Sequence, residues 1–138
     1  DEPARGGLLF RLREINRKHM LEGLYTCIAE SGDTTHLEAD VRLDAGHPVF
    51  AGHFPGHPVL PGVCQFEIVR HLVQRRAGRL LNARTVRELK FLSPVLPPHD
   101  VLLRVELVLT EGGDGSLDVR GTISAGGVRQ TKIKAIFA

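Results

Sequence analysis

The chain has 138 residues, of which 42% are hydrophobic and 25% charged, enough for one domain with a real core and too few for two. A net charge of +2 and an aromatic content of 5% argue against a nucleic-acid-binding protein, which needs a strong positive charge or base-stacking rings. No apolar run is long enough to span a membrane and no secretion signal is recognisable, so the sequence predicts a soluble protein.

The two cysteines, Cys27 and Cys64, lie in apolar surroundings and lack the spacing of metal ligands. Both are therefore predicted to be buried thiols rather than partners in a disulfide. Thiols that stay reduced fit a cytoplasmic location.

Residues 1–22 are predicted to form a helical segment that precedes a single domain at residues 23–138. Within this segment Leu8, Leu12 and Ile15 recur at helical spacing. Because the chain begins with Asp1 and its only methionine is Met20, we expect part of the segment to have been trimmed or added.

The domain is predicted to be of the α+β class, with an antiparallel sheet wrapped around one long helix. Alternating runs bounded by turn residues predict strands at residues 24–30, 35–43, 85–93, 101–110, 117–125 and 128–137. Gly126 and Gly127 are expected to form a hairpin turn. The fourth run has one wholly apolar face, which indicates a sheet that packs one side on a core: Val101, Leu103, Val105, Leu107 and Leu109.

The long helix is predicted to begin near Pro61 and to end at about Arg79, since proline suits a first turn and Gly78 can end a helix. Its apolar face comprises Val63, Phe66, Val69, Leu72, Val73 and Ala77. The opposite stripe is polar and comprises Glu67, Arg70, His71, Gln74 and Arg75. On this pattern alone, Glu67 is simply the first member of a solvated face, paired with His71 or Arg70.

A proline-stiffened loop that carries His53 runs into this helix. An imidazole and a carboxyl group can both move protons near neutral pH, so His53 and Glu67 form a candidate catalytic pair. The pattern alone equally allows His53 to be a hydrogen-bonded turn residue. The histidines of this region have no accompanying acidic or thiol cluster, and no metal site is predicted: His47, His53, His57 and His71.

The loop and helix start read HFPGHPVLPGV from His53 to Val63, with Glu67 fourteen positions after His53. This string resembles the HFPGxPVxPGV…E signature of the β-hydroxyacyl-(acyl carrier protein) dehydratases of the hotdog superfamily. Residues 88–100, ELKFLSPVLPPHD, resemble the family segment KFRKPVxPGD, and residues 121–137 resemble its last hairpin. The similarity covers residues 46–138.

The resemblance implies a hotdog fold and the elimination of water from a (3R)-3-hydroxyacyl thioester on an acyl carrier protein. It implies that His53 is the base toward Cα and that Glu67 protonates or holds the departing hydroxyl. The backbone N–H groups of Gly62 and Val63 would receive the developing thioester oxyanion. It further implies a homodimer, or a larger assembly, in which the acid of one subunit faces the histidine of the other, with no cofactor and no metal.

The chain departs from the family pattern in two places. Residues 21–27 lack the LPHRYPFLLVD-like segment, which leaves the acyl chain length and the pathway open. In the family, the acid usually begins the run E-A-M-A-Q, whereas this chain has Glu67-Ile68-Val69-Arg70-His71. His71 replaces a glutamine that resembles an orienting neighbour of the acid, so His71 is a candidate residue for orienting Glu67. A charged His71 would favour an ionised Glu67, and a neutral one would orient it by a hydrogen bond.

Basic residues are concentrated after the acid. Arg75, Arg76 and Arg79 are either part of a solvated face or, next to a dehydratase motif, a docking patch for an acidic carrier protein. Two other functions stay open: a hotdog thioesterase or coenzyme A-linked hydratase, and an acyl-binding module without activity.

Overall fold

The computed structural model describes residues 22–51 and 56–138. Apart from Glu22, the predicted helical segment at residues 1–22 lies outside the described residues, and so does His53. The described residues form two helices, α1 (Pro48–Ala51) and α2 (Gly62–Ala77), and six strands, β1 (Tyr25–Gly32), β2 (His36–Leu43), β3 (Ala83–Phe91), β4 (Leu102–Glu111), β5 (Leu117–Ala125) and β6 (Val128–Phe137). The short helix α1 has no counterpart in the sequence-based prediction.

The six strands form a single antiparallel sheet in the order β1-β2-β4-β5-β6-β3. Each predicted strand is found within two residues of its predicted bounds. The predicted hairpin turn is also confirmed, since Gly126 and Gly127 both have positive φ values, 57° and 80°. Strand β3 is the one whose neighbour does not follow from chain order, because it lies at the far edge and pairs with β6.

The sheet packs its apolar face on α2, as the alternation in β4 predicts. Leu103, Val105, Leu107 and Leu109 are all buried, and they share one core with α2 residues such as Ile68 and Leu72. On the last strand, the Phe137 ring lies 5.6 Å from that of Phe66 on α2, measured between centroids. Burial of these side chains is the main source of stability in such a fold.

Both ends of α2 confirm the sequence-based boundaries to within two residues. Pro61 precedes the helix in an extended conformation, and Gly78 follows it with a left-handed φ of 74°. The Gly78 N–H donates to the Gln74 carbonyl oxygen at 2.9 Å and closes the last turn. Within the described residues, no helix is both long and apolar enough to cross a membrane.

The predicted division of α2 into a buried apolar face and a solvated polar stripe is wrong at four positions. Glu67 and Arg70 are each only 9% exposed. Val63 and Ala77, both assigned to the apolar face, are exposed, Val63 to 55%. The sheet encloses more of the helix than one face, so part of the polar stripe lies inside the protein. Two opposite charges tolerate that environment because they neutralise each other.

Candidate active site

The carboxylate of Glu67 is held by Arg70, one turn further along α2. The Arg70 Nε donates to Oε1 at 3.0 Å and to Oε2 at 3.2 Å, and its Nη2 donates to Oε1 at 2.8 Å. Both side chains are nearly inaccessible. Of the two partners that the sequence allowed for Glu67, it is Arg70 that makes the hydrogen bonds, in the two-pronged geometry that guanidinium groups favour.

Arg70 is itself anchored at the other end of its guanidinium group. Its Nη1 donates to the side-chain oxygen of Gln74 at 3.0 Å and to the carbonyl oxygen of Leu81 at 2.9 Å. The same Gln74 oxygen accepts the Leu81 N–H at 3.0 Å. Every nitrogen of the guanidinium group therefore has an acceptor, and the position of Glu67 is set by a network that extends beyond the helix.

The first turn of α2 supplies backbone donors beside this carboxylate. Gly62 and Val63 are the first two residues of the helix, where helix geometry leaves N–H groups without acceptors inside the helix. These donors and the helix dipole favour a negative charge at this end. Val63 precedes Glu67 by four residues, so both side chains lie on the same side of α2.

A buried side-chain network fixes the loop that leads into α2. Gln65 donates from Nε2 to the Leu60 carbonyl oxygen at 3.3 Å, and the Thr131 hydroxyl on β6 donates to the Gln65 side-chain oxygen. The Leu60 N–H also donates to the carbonyl oxygen of Val95 at 2.9 Å. The sequence analysis missed Gln65, although a glutamine between Cys64 and Phe66 in an apolar run was a usable signal.

The ring of Phe91, at the end of β3, covers Gly62. A Cβ atom added to Gly62 would lie 2.9 Å from both Cε atoms of Phe91 and closer still to Cζ. The ring lies between two cavities. One has a volume of about 320 Å³ and is lined by Gly62, Val63, Phe66, Val86, Leu89 and Phe91. The other, of about 270 Å³, is lined by residues of the loop before the helix and of the 92–94 segment.

His71, the candidate orienting residue, contacts β1 rather than Glu67. The Tyr25 hydroxyl hydrogen-bonds with His71 Nδ1, and the two rings meet edge to face with centroids 5.9 Å apart. Burial, together with the charges of Arg75 and Arg70, lowers the pKa of His71 below its ordinary value. Burial raises the pKa of Tyr25 to about 12. Both groups are thus neutral at neutral pH, and the tautomer of His71 decides which of them donates in this hydrogen bond.

The two cysteines are free of disulfides, as predicted, and Cys64 is fully buried while Cys27 is partly exposed. Burial and the neighbouring charge of Glu67 raise the pKa of Cys64 to about 12. A thiol with this pKa stays protonated at neutral pH, which rules out Cys64 as a nucleophile.

The predicted docking arginines differ in how much they are engaged within the chain. Arg76 donates to Glu30 Oε2 at 2.9 Å and to the carbonyl oxygens of Ser31, Asp33 and His36, and so fastens the β1–β2 turn to α2. Arg75, half exposed, donates to Glu30 Oε1 at 3.0 Å. Arg79 is exposed and donates to the Gly115 carbonyl oxygen.

His53 is one of residues 52–55, which lie outside the described part of the chain. Its pairing with Glu67 therefore stays a prediction. Within the described residues, no group of three histidine, cysteine or acidic side chains is placed to hold a metal ion.

The described geometry brings together three elements of an acyl-group site. A buried carboxylate lies one turn along α2 from a helix N-terminus, and an apolar cavity adjoins that N-terminus. Such an arrangement can bind an apolar chain, stabilise an oxyanion with backbone N–H groups and hold a hydroxyl group at the carboxylate.

Comparison with known proteins gives a consistent picture. A family model described as ApeI dehydratase matches residues 29–122. The 3-hydroxyacyl-[acyl-carrier-protein] dehydratase FabZ of Sulfurovum sp. is 25% identical over 116 residues, which cover 75% of this chain and 78% of the relative.

Solved structures share the fold. The dehydratase heterocomplex ApeI:P from Xenorhabdus doucetiae superposes with a TM-score of 0.63 at 22% identity and covers 82% of this chain and 96% of that chain. A mutant thioesterase from Pseudomonas aeruginosa superposes with a TM-score of 0.61 at 13% identity, over 94% of this chain and 91% of that chain. The sheet-around-helix architecture is thus the hotdog fold that the sequence motif implied.

The contact between Gly62 and Phe91 can be tested by measuring stability. Gly62→Ala should lower the free energy of unfolding by about 1 kcal/mol, at the low end of the range for overpacking, because the half-exposed ring can partly swing away. The double variant with Phe91→Ala should show no such loss relative to Phe91→Ala alone. Denaturant unfolding of the wild type, the two single variants and the double variant measures these differences. Gly113→Ala is the control, since a Cβ atom there meets no atom within 4 Å. An equal loss in both backgrounds would contradict the contact.

The partly buried position of His71 predicts a pH-dependent stability. Its pKa is lowered in the folded state, whereas in the unfolded state histidine has its ordinary pKa of about 6.5, so below that pH the unfolded state binds more protons. The stability advantage of the wild type over His71→Gln should therefore be largest above about pH 7 and shrink as the pH falls below about 6.5. Urea unfolding at several pH values measures this difference. Parallel curves for the two proteins would show that His71 is not responsible.

Proposed function

Because the chain belongs to the ApeI-like family of hotdog dehydratases, we propose that it removes water from (3R)-3-hydroxyacyl thioesters on an acyl carrier protein and yields trans-2-enoyl thioesters. The observation that carries this proposal is the buried carboxylate of Glu67, one turn along α2 from the N-terminal residues Gly62 and Val63, which line an apolar cavity. A substrate with an acyl chain, a thioester carbonyl and a hydroxyl group two carbons away matches these three features.

The proposed reaction uses groups of the polypeptide alone. His53 takes the proton from Cα, and the negative charge that develops on the thioester oxygen is received by the N–H groups of Gly62 and Val63. Glu67 protonates or holds the 3-hydroxyl group, and the C–O bond breaks as the electron pair from Cα forms the double bond. The hydroxyl group leaves as water with a proton supplied by Glu67 or by the protonated His53. Losing one oxyanion donor typically slows such a reaction by about 100-fold or more. No cofactor or metal is part of the proposal.

A dimer is part of the proposal, because the motif resemblance places the histidine and the acid of one site on different subunits. Strand β3 is an edge strand, and Val86 and Phe91 on it are about half exposed. An edge with exposed apolar side chains is a surface on which a second copy can add its own strand. The neighbour from Xenorhabdus doucetiae is a heterocomplex, so a different chain is the second candidate partner.

The acidic carrier protein is proposed to dock on the exposed part of the basic region. Arg75 and Arg79 are its accessible members, whereas Arg76 is committed to the β1–β2 turn. Charge complementarity of this kind acts mainly on the rate of encounter and weakens with salt.

A thioesterase is the second candidate, because the fold is shared with a thioesterase of Pseudomonas aeruginosa. Thioester hydrolysis would release a free acid and a thiol, whereas dehydration leaves the thioester intact. Product analysis with (3R)-3-hydroxyacyl thioesters of several chain lengths separates the two activities and identifies the preferred acyl length. Binding without any product would instead indicate an acyl-binding module.

The catalytic pair is tested by His53→Ala and Glu67→Gln. Each variant should lose dehydration by about 100-fold or more, measured by the appearance of the enoyl thioester, because each removes a group that the proton transfers require. Glu67→Gln also leaves the buried Arg70 without its counter-charge, so its thermal unfolding is measured alongside and turnover is compared at a temperature at which it is folded. Turnover near the wild-type level in either folded variant would end the assignment.

Carrier-protein docking is tested by reversing two charges. Arg75→Glu with Arg79→Glu should lower kcat/KM for a carrier-bound substrate about 10-fold or more at low salt and leave the same acyl group on pantetheine nearly unaffected. The matched control is Arg42→Glu with Arg129→Glu, two exposed arginines elsewhere whose reversal changes the net charge equally. Equal losses of kcat/KM with both substrates, or in both double variants, would contradict docking of the carrier protein on this surface.

A further inference from the structure

We propose that Arg70 is a positioning residue that orients Glu67 so that its carboxylate accepts a hydrogen bond from the 3-hydroxyl group of the substrate. This inference rests on the proposed dehydration and deepens it, because it decides between the two roles that Glu67 can have, donating a proton to the leaving group or holding it. It also assigns a role to a residue outside the sequence motif.

The first argument is how completely the guanidinium group is engaged. Three hydrogen bonds join it to Glu67, and Nη1 is bound to both Gln74 and the Leu81 carbonyl oxygen. Arg70 cannot turn away from Glu67 without leaving buried acceptors unpaired, which is costly. Glu67 therefore has a permanent cationic neighbour in a site that excludes most solvent.

The second argument is the number of hydrogen bonds at each carboxylate oxygen. Oε1 accepts two N–H bonds from Arg70, at 2.8 and 3.0 Å, and Oε2 accepts one, at 3.2 Å. A carboxylate oxygen can accept about two hydrogen bonds. Among the contacts of the described residues, Oε2 is thus the oxygen that keeps an accepting direction for a substrate hydroxyl group.

The third argument is proton balance. A carboxylate whose two oxygens both accept hydrogen bonds from Arg70 is arranged to accept the hydroxyl O–H as well, rather than to protonate the leaving oxygen. The proton that His53 takes from Cα is then the one that joins the leaving hydroxyl group, so that the C–O bond breaks, the electron pair from Cα forms the double bond and one water leaves. The proton balance is then closed, and both side chains return to the states in which they began the turnover.

The experiment measures whether the site recognises the 3-hydroxyl group, and it uses His53→Ala to prevent turnover. The dissociation constants of (3R)-3-hydroxyoctanoyl-pantetheine and octanoyl-pantetheine are compared in this background. The hydroxylated thioester should bind about 10-fold more tightly or better, as expected for a hydrogen bond to a charged acceptor. Adding Arg70→Met should reduce the preference to less than about 3-fold, and adding Arg70→Lys should keep part of it, because lysine supplies the charge without the planar fork.

Two further variants complete the design. Arg104→Gln removes another arginine that is paired with carboxylates, Glu38 and Asp40, on the outer face of the sheet, and should leave the preference unchanged. Gln74→Leu removes one acceptor of Arg70 and leaves Glu67 untouched, so it should reduce the preference to an intermediate value. It serves as the decisive variant if Arg70→Met does not fold.

The outcomes separate this inference from the proposed function. If the wild type does not dehydrate 3-hydroxyacyl thioesters, the proposed function is wrong. If it does, three results would each overturn the role of Arg70: no hydroxyl preference in His53→Ala, an unchanged preference in folded Arg70→Met, or an equal weakening for both thioesters, which would indicate only a structural role. In otherwise wild-type protein, Arg70→Lys should retain more kcat than Arg70→Met, with KM changed less than kcat.

Discussion

The ion pair between Glu67 and Arg70 is the interaction on which the rest of the candidate site depends. Removing two charges from water costs several kcal/mol for each ion, and this cost is recovered only when geometry and additional hydrogen bonds are good. Here the additional bonds come from Gln74 and Leu81, just before and after the turn that ends α2. The helix, its C-terminal turn and the carboxylate are therefore positioned as one unit.

The enclosure that buries this pair ends at the first turn of α2, where the apolar cavity lies. The sheet closes over most of α2 and leaves its first turn open, where Val63 is exposed and Phe91 covers Gly62. The charged pair and the open turn are therefore two results of one architecture. A site at this end of the helix combines an apolar surface for a chain with backbone N–H groups for a carbonyl oxygen.

Local patterns in the sequence were enough to predict most of the fold. The alternation in β4, the glycine pair of the last hairpin and the Pro61 and Gly78 boundaries all depend on neighbours within a few residues, and all are confirmed. The position of β3 beside β6 was not accessible in this way, because edge placement depends on where a distant strand lies. The resemblance to the dehydratases supplied that architecture as a whole.

Residue pattern was a poorer guide to the candidate site. A helical stripe of Glu67, Arg70 and His71 is typical of a solvated surface, and only the enclosing sheet turns it into a buried pair next to a neutral Tyr25–His71 contact. Gln65 was missed for a similar reason, since its partner Thr131 is on the last strand. Tertiary contacts between distant parts of the chain decide the protonation and orientation of these groups.

The bond between Gln65 and Thr131 makes the start of α2 mechanically dependent on the end of the chain. Because Gln65 also holds the Leu60 carbonyl oxygen, a displacement of β6 is transmitted through one side chain to the peptide groups that precede Gly62. Thr131, which is not proposed to contact the acyl group, thereby helps to orient the backbone N–H groups that are proposed to do so. Substitutions in the last strand should therefore first change the alignment of the peptide groups at the start of α2, before any loss of the fold itself.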